Sequence, residues 1–132
     1  MLNALKRRED IESSIKLIIN LLDLKYIDDE RVFCISNSNS KSKSYARIFG
    51  LPYQFQLILN IKPVYVIEII ERNFNSLSKE EKIEVLIHEI AHIPFSFSGN
   101  LRPHNKSFRR YFDQLIRKAK NQEIYKYIKI IK

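Results

Sequence analysis

Residues 78–104 read SKEEKIEVLIHEIAHIPFSFSGNLRPH, and the reading of this stretch settles how the rest of the chain is understood. Ser78 and Glu81 have the spacing of a capping box, in which the hydroxyl accepts from the Glu81 amide and the Glu81 carboxylate reaches back. Ile83, Leu86, Ile87 and Ile90 then recur at helical spacing. Pro94 stops the helix, because the residue before a proline is driven out of the α region. On this bounded helix His88 and His92 lie four residues apart, so their side chains share a face with Cβ atoms about 5–6 Å apart. Two imidazole nitrogens so placed can reach one Zn²⁺ at ~2.0–2.1 Å. Glu89 is turned away from such an ion but stays close enough to take a proton from water beside it. HExxH on a helix thus supplies two ligands and a general base.

A catalytic zinc needs a third protein ligand and one open position. The extended pattern HExxHxxGxxH is absent, since Phe95 and Ser98 stand where it requires glycine and histidine. His104 is the only other histidine, and it follows SFSGNLRP, where Gly99 allows a turn and Pro103 stiffens the return. Asp113 or Glu123 would serve as a carboxylate alternative, although both sit in a basic segment. The plainer reading makes the motif accidental, with His92 a core histidine and His104 a surface loop residue. The gathering of all 3 histidines into one window argues against it.

Outside this stretch the periodicities predict an α+β chain forming a single domain over residues 1–132. Ile11, Ile15, Ile18 and Leu22 mark an amphipathic helix over roughly 5–23. Val32–Ser36 reads as a strand, and 36–44 (SNSNSKSKS) as a solvated loop. Tyr53–Leu59 and Val64–Ile70 read as two strands joined as a hairpin. Phe108, Phe112, Leu115 and Ala119 mark a further helix, and Glu123–Ile131 a last one. The expected order is helix, three strands, three helices. Cys34 is read as a packed strand residue. Glu68 shares strand parity with Val64, Val66 and Ile70, an awkward place for a carboxylate. It faces water at a sheet edge, pairs with Arg102, or orients a ligand histidine.

Composition narrows the class. No apolar run approaches the ~20 residues of a membrane span, the N-terminal MLNALKRRED lacks the pattern of a signal peptide, and one cysteine allows no internal disulfide. These features point to a cytoplasmic protein. The formal charge is +8, and it is concentrated: the first 99 residues hold 13 basic and 13 acidic groups, while ten basic residues follow Gly99 against only Asp113 and Glu123. Lys106, Arg109, Arg110, Arg117 and Lys120 fall largely on the helix side opposite Phe108, Phe112 and Leu115. Such a face either binds phosphate backbones or is simply solvated.

ARIFGLP (46–52), YVIEII (65–70) and LIHEIAHIPFSFSGNLRPH (86–104) together resemble a family of metallopeptidases found in archaea and phages, compact relatives of SprT-type zincins. The resemblance runs from about Ser44 to His104. It implies a minimal zincin fold with one Zn²⁺ held by His88, His92 and His104 and with Glu89 as the acid/base. HNKSF (104–108) also resembles the His-Gly-x-x-Phe segment that carries the third ligand in SprT-type proteases. Asn105 replaces that glycine, as a residue that tolerates left-handed backbone.

The resulting expectation is a zinc-dependent peptidase acting on a protein or peptide, with Arg102 or Tyr111 as a donor to the oxyanion and DNA-associated proteins as targets. The rival is a nucleic-acid-binding or regulatory protein whose zinc is structural and fully ligated by the protein.

Overall fold

The computed structural model describes residues 4–130. Among these residues the strands β1 (Leu5–Arg7), β2 (Val32–Asn37), β3 (Ala46–Gly50) and β4 (Tyr65–Ile70) form one sheet in the order β1-β2-β4-β3. β1 and β2 are antiparallel, β2 and β4 parallel, and β3 closes the far edge antiparallel to β4. The helices are α1 (Glu9–Leu21), α2 (Tyr53–Leu59), α3 (Glu71–Phe74), α4 (Lys79–Ala91) and α5 (Lys106–Asn121). The α+β class agrees with the periodicities.

Alternation along the strands sorts the two sheet faces. Val32, Cys34 and Ser36 of β2, Ala46 and Ile48 of β3, and Tyr65, Ile67 and Ile69 of β4 are all buried. Their apolar members share one cluster with Ile11, Ile15 and Ile18 of α1 and Ile83, Leu86, Ile87 and Ile90 of α4. Cys34 is a packed strand residue, its thiol pushed up to about 12 by burial. α4 therefore rests on the sheet, with α5 packed against it as well.

The other parity holds Glu68, only 5% exposed. Its carboxylate accepts from Arg47 Nε and Nη2, both at 3.1 Å, and from Asn37 Nδ2 at 2.8 Å. Arg47 and Ile35 are its cross-strand neighbours, so register alone delivers the ion pair. Glu68 thus pairs with neither Arg102 nor a ligand histidine. Burial pushes its carboxyl up, but the Arg47 and Asn37 hydrogen bonds outweigh burial and hold it below the usual range.

Four expectations need correction. Residues 5–7 leave the first helix to pair with β2, and α1 begins only at Glu9. The strand ARIFG (46–50) is not among the three expected strands, yet it forms an edge of the sheet. Tyr53–Leu59 is a helix, so the antiparallel partner of 65–70 is 46–50. Pro52 opens α2, and Asn60 closes it in the left-handed region at φ 53°. Gln56 fastens it by donating to the Leu51 and Ser98 carbonyls at 2.8 and 2.9 Å. Its apolar residues stay outside, Ile58 being 80% exposed, so the β-forming composition of YQFQLIL (53–59) reflects no buried sheet position. Finally, Ile124–Lys126 forms a single 3₁₀ turn instead of a last helix. Ile131 and Lys132 lie outside the described residues.

Replacing Glu68 with Gln removes the charge-assisted bonds and should lower stability by about 1–2 kcal/mol near neutral pH. A carboxyl held below its ordinary 4.5 stabilises the fold above that value and loses the contribution as pH falls through the folded value. The gap in melting temperature between wild type and E68Q should therefore narrow below about pH 4.

Candidate metal centre

α4 begins as its capping box dictates, with the Glu81 amide donating to Ser78 Oγ at 3.2 Å and the Ser78 amide donating to Glu81 Oε1 at 2.9 Å. It runs to Ala91, and His92 follows as the C-cap with its backbone still in the α region. The four-residue geometry of the two histidines therefore survives to the last turn, their ring centroids 5.1 Å apart.

The chain then turns back on itself. The Arg102 amide donates to the His92 carbonyl at 2.7 Å, and His92 Nδ1 donates to the Arg102 carbonyl at 2.6 Å. Because a carbonyl only accepts, Nδ1 carries the ring proton and Nε2 keeps its lone pair. Tyr65, fully buried on β4, accepts from the Gly99 amide at 2.7 Å and donates to the Asn100 carbonyl at 2.8 Å. Gly99 sits at φ +95°, and a Cβ there would lie 2.3 Å from the Leu51 carbonyl oxygen. At Gly50 a Cβ would meet the Gly99 oxygen at 2.0 Å. Only glycines let the loop pass this close to the end of β3.

Held in this way, the loop brings His104 to His88, with their Nε2 atoms 3.1 Å apart. Nitrogens sharing one tetrahedral ion at ~2.05 Å lie about 3.3 Å apart. One ligand atom from each of His88, His92 and His104 falls within 4.8 Å of the others, and among the described residues these three form the only such cluster. Asp113 borders a neighbouring cavity with His88 and His104 but stands outside the cluster. Glu123 lies past the end of α5 and pairs with Lys126.

The donors suit a transition-metal ion. Burial, with help from His92 and His104, lowers His88 to about 4. Burial likewise lowers His92, against an opposing pull from the Arg102 carbonyl. Both rings are neutral at pH 7, as imidazole ligands must be. Glu89 is 7% exposed, and its carboxyl group has no hydrogen-bond or ion-pair partner among the described residues. Burial raises its carboxyl to about 8. It borders two cavities at once, one of about 410 Å³ shared with all three histidines and β3, the other of about 420 Å³ running along α4.

The remaining candidates separate clearly. Arg102 borders the histidine cavity, its guanidinium over Tyr111 at 4.8 Å and donating to Ser107 Oγ at 3.1 Å, with Nη1 buried and unpartnered. Tyr111 lies behind Arg102, its hydroxyl engaged with that of Tyr26, and borders neither cavity at Glu89. Asn105 is extended at φ −139° and caps α5 by accepting from the Phe108 amide at 2.9 Å, so no left-handed residue is needed there. Lys106, Arg109, Arg110, Arg117 and Lys120 are all exposed.

Phe108 is the residue that periodicity undervalues. It stacks on His92 at 4.3 Å and meets the edges of His88 and His104 at 5.2 and 5.1 Å. In the sequence it reads as one apolar position of α5 and as the phenylalanine of HNKSF (104–108), and its place four residues after His104, one turn into that helix, is the signal of its contact with the histidines. Phe108→Ala should weaken metal binding about 10–100-fold, as loss of a ligand-orienting neighbour does, and destabilise the fold by about 3 kcal/mol. Competition with a chromogenic chelator and thermal melting measure the two effects.

No curated protein and no solved structure matches the chain. No helix among the described residues is long and apolar enough to cross a membrane. The family described as "putative phage metallopeptidase" matches residues 4–129, and the chain belongs to that family.

Proposed function

We propose that the protein is a zinc-dependent peptidase of the SprT-like zincin type. The observation that carries this reading is the unpartnered, buried Glu89 carboxyl beside a cluster of three histidine donors, at the junction of two cavities. His88, His92 and His104 would hold the ion. A zinc ion so held supplies Lewis acidity, polarising a carbonyl oxygen and acidifying water.

The residues of the chain supply the rest. A cation held by the histidines would favour the ionised form of Glu89, whose carboxylate takes a proton as water attacks the peptide carbonyl and returns it to the leaving amine. Its burial excludes competing partners, and the opposing cavity wall is the edge strand β3, with Ala46, Arg47 and Ile48 bordering the histidines. An extended peptide laid along that edge gains main-chain hydrogen bonds. The unpartnered Arg102 Nη1 is the side-chain donor nearest to this role for the oxyanion, while Tyr111 acts through Arg102 by holding its guanidinium. A structural zinc would need a fourth protein ligand, and the three-histidine cluster favours the catalytic alternative.

A second reading concerns α5. Lys106, Arg110, Arg117 and Lys120 lie along one face of α5 with Asp113 between them, and no carboxylate of the described residues forms an ion pair with these cations or with Arg109. This supports contact with nucleic-acid phosphates and, with it, action on DNA-associated proteins.

Glu89→Gln should retain zinc at wild-type stoichiometry while lowering kcat by about 10²–10⁴-fold, the range of a lost acid/base. Undiminished peptide hydrolysis by that variant would remove Glu89 from the mechanism. For α5, duplex DNA should bind with an affinity that falls steeply with salt, and each cation replaced by Gln should reduce the log–log slope by about one. Fluorescence anisotropy across a salt series measures this, and binding insensitive to salt would discard the phosphate reading.

A further inference from the structure

The second cavity at Glu89 is a pocket with its own chemistry. It leads away from the histidines along α4, between that helix, the segment entering β3, and Phe112 of α5. Val85, Leu77, Tyr45 and Phe112 give it apolar walls, and Glu84 and Glu81 lie at its far end. Residues 81, 84 and 88 fall on one helix face. At 1.5 Å of rise per residue, Glu84 stands about 6 Å from the first ligand along the axis and Glu81 about 10 Å.

Charge makes the pocket unusual for this molecule. The chain carries a net +8, yet no lysine or arginine borders this cavity, whereas Glu81 and Glu84 do. Glu89 is the buried, unpartnered group joining the pocket to the reacting centre. The two distal carboxylates keep spare acceptor capacity. Glu84 Oε2 accepts from the Tyr125 hydroxyl at 3.2 Å, and Glu81 Oε1 accepts from the Ser78 amide at 2.9 Å. In each case the second oxygen has no hydrogen-bond partner among the described residues.

Apolar walls ending in carboxylates match one kind of side chain, an aliphatic stem with a cation at its tip. We infer that this cavity receives a lysine or arginine side chain of the substrate next to the cleaved bond, making the protein selective for basic peptides. The inference rests on the peptidase reading and deepens it. Stem methylenes lie against Val85, Leu77 and Phe112 while the ammonium or guanidinium donates to Glu84 and Glu81. An acidic side chain meets two like charges there and is rejected.

The test uses the zinc-loaded full chain and peptides carrying lysine, norleucine or glutamate at each position around the scissile bond. Lysine at one position should raise kcat/KM about 10–100-fold over norleucine, the range of a charge-assisted hydrogen bond. In the double variant E81Q/E84Q that ratio should fall to about one. Glutamine serves the capping box as glutamate does, so Glu81→Gln leaves the start of α4 intact. Equal rates for lysine and norleucine, or a ratio unchanged in the double variant, would overturn the pocket. Turnover is not the only readout. Labelled lysine and norleucine peptides are also titrated against the Glu89→Gln protein, with and without E81Q/E84Q. Tighter lysine binding that the added substitutions abolish supports the pocket even if wild type hydrolyses nothing, an outcome that sinks only the peptidase reading. Hydrolysis without selectivity sinks the pocket and leaves the peptidase.

Discussion

His92 and Arg102 hold each other twice, amide to carbonyl and imidazole to carbonyl, across a ten-residue excursion of the chain. The rest of the centre depends on this reciprocal pair. One bond sets the tautomer of His92 and so presents Nε2 to the other two histidines. The other closes the loop at a fixed point, two residues before His104. Without it, α4 would still bring His88, Glu89 and His92 together, and His104 would have no fixed place beside them. Tyr65, Gly50 and Gly99 then tie the loop to the sheet, so the centre is shared between the helix layer and the strand layer.

The sheet uses its two faces differently, and this division positions the site. One face buries its alternate residues against α1 and α4 and fixes the height of α4. The opposite face keeps a buried carboxylate, Glu68, matched by register with Arg47. β3 belongs to both purposes, since its inward residues pack and its outer edge borders the cavity with the histidines. Phe108 completes the arrangement from α5 by serving all three imidazoles with one ring. With Phe112, which meets the edge of His88 at 5.1 Å, it packs α5 against the end of α4 at the histidines.

How much can be read from the sequence depends on how local each signal is. α4 is legible because its cap, periodicity and stop all lie within seventeen consecutive residues, 78–94. His104 is legible as a nominee through its isolation beside the motif, but the bonds that deliver it involve Tyr65 and Gly50, far away in sequence. α2 misleads because its apolar, β-forming residues normally mark burial, and here a proline, a left-handed asparagine and one glutamine hold an exposed helix. β1 escapes for a simpler reason: three residues are too few to show a period. Glu68 looks misplaced until register supplies Arg47, which no spacing along the chain can reveal.

Loops that carry functional residues are usually drawn from the least stable parts of a fold and open locally far more often than the core. The Gly99–Arg102 segment is built otherwise. Its amides at Gly99 and Arg102 are bonded to a fully buried tyrosine of a central strand and to the end of the helix that carries the motif. Opening it means releasing Tyr65 and parting two glycines in backbone contact, which disturbs β4 and the core itself. Local and global unfolding thus converge at this point. In a loop that resembles a mobile linker in composition, the amide protons of Gly99 and Arg102 should therefore exchange with the slowest class in the molecule.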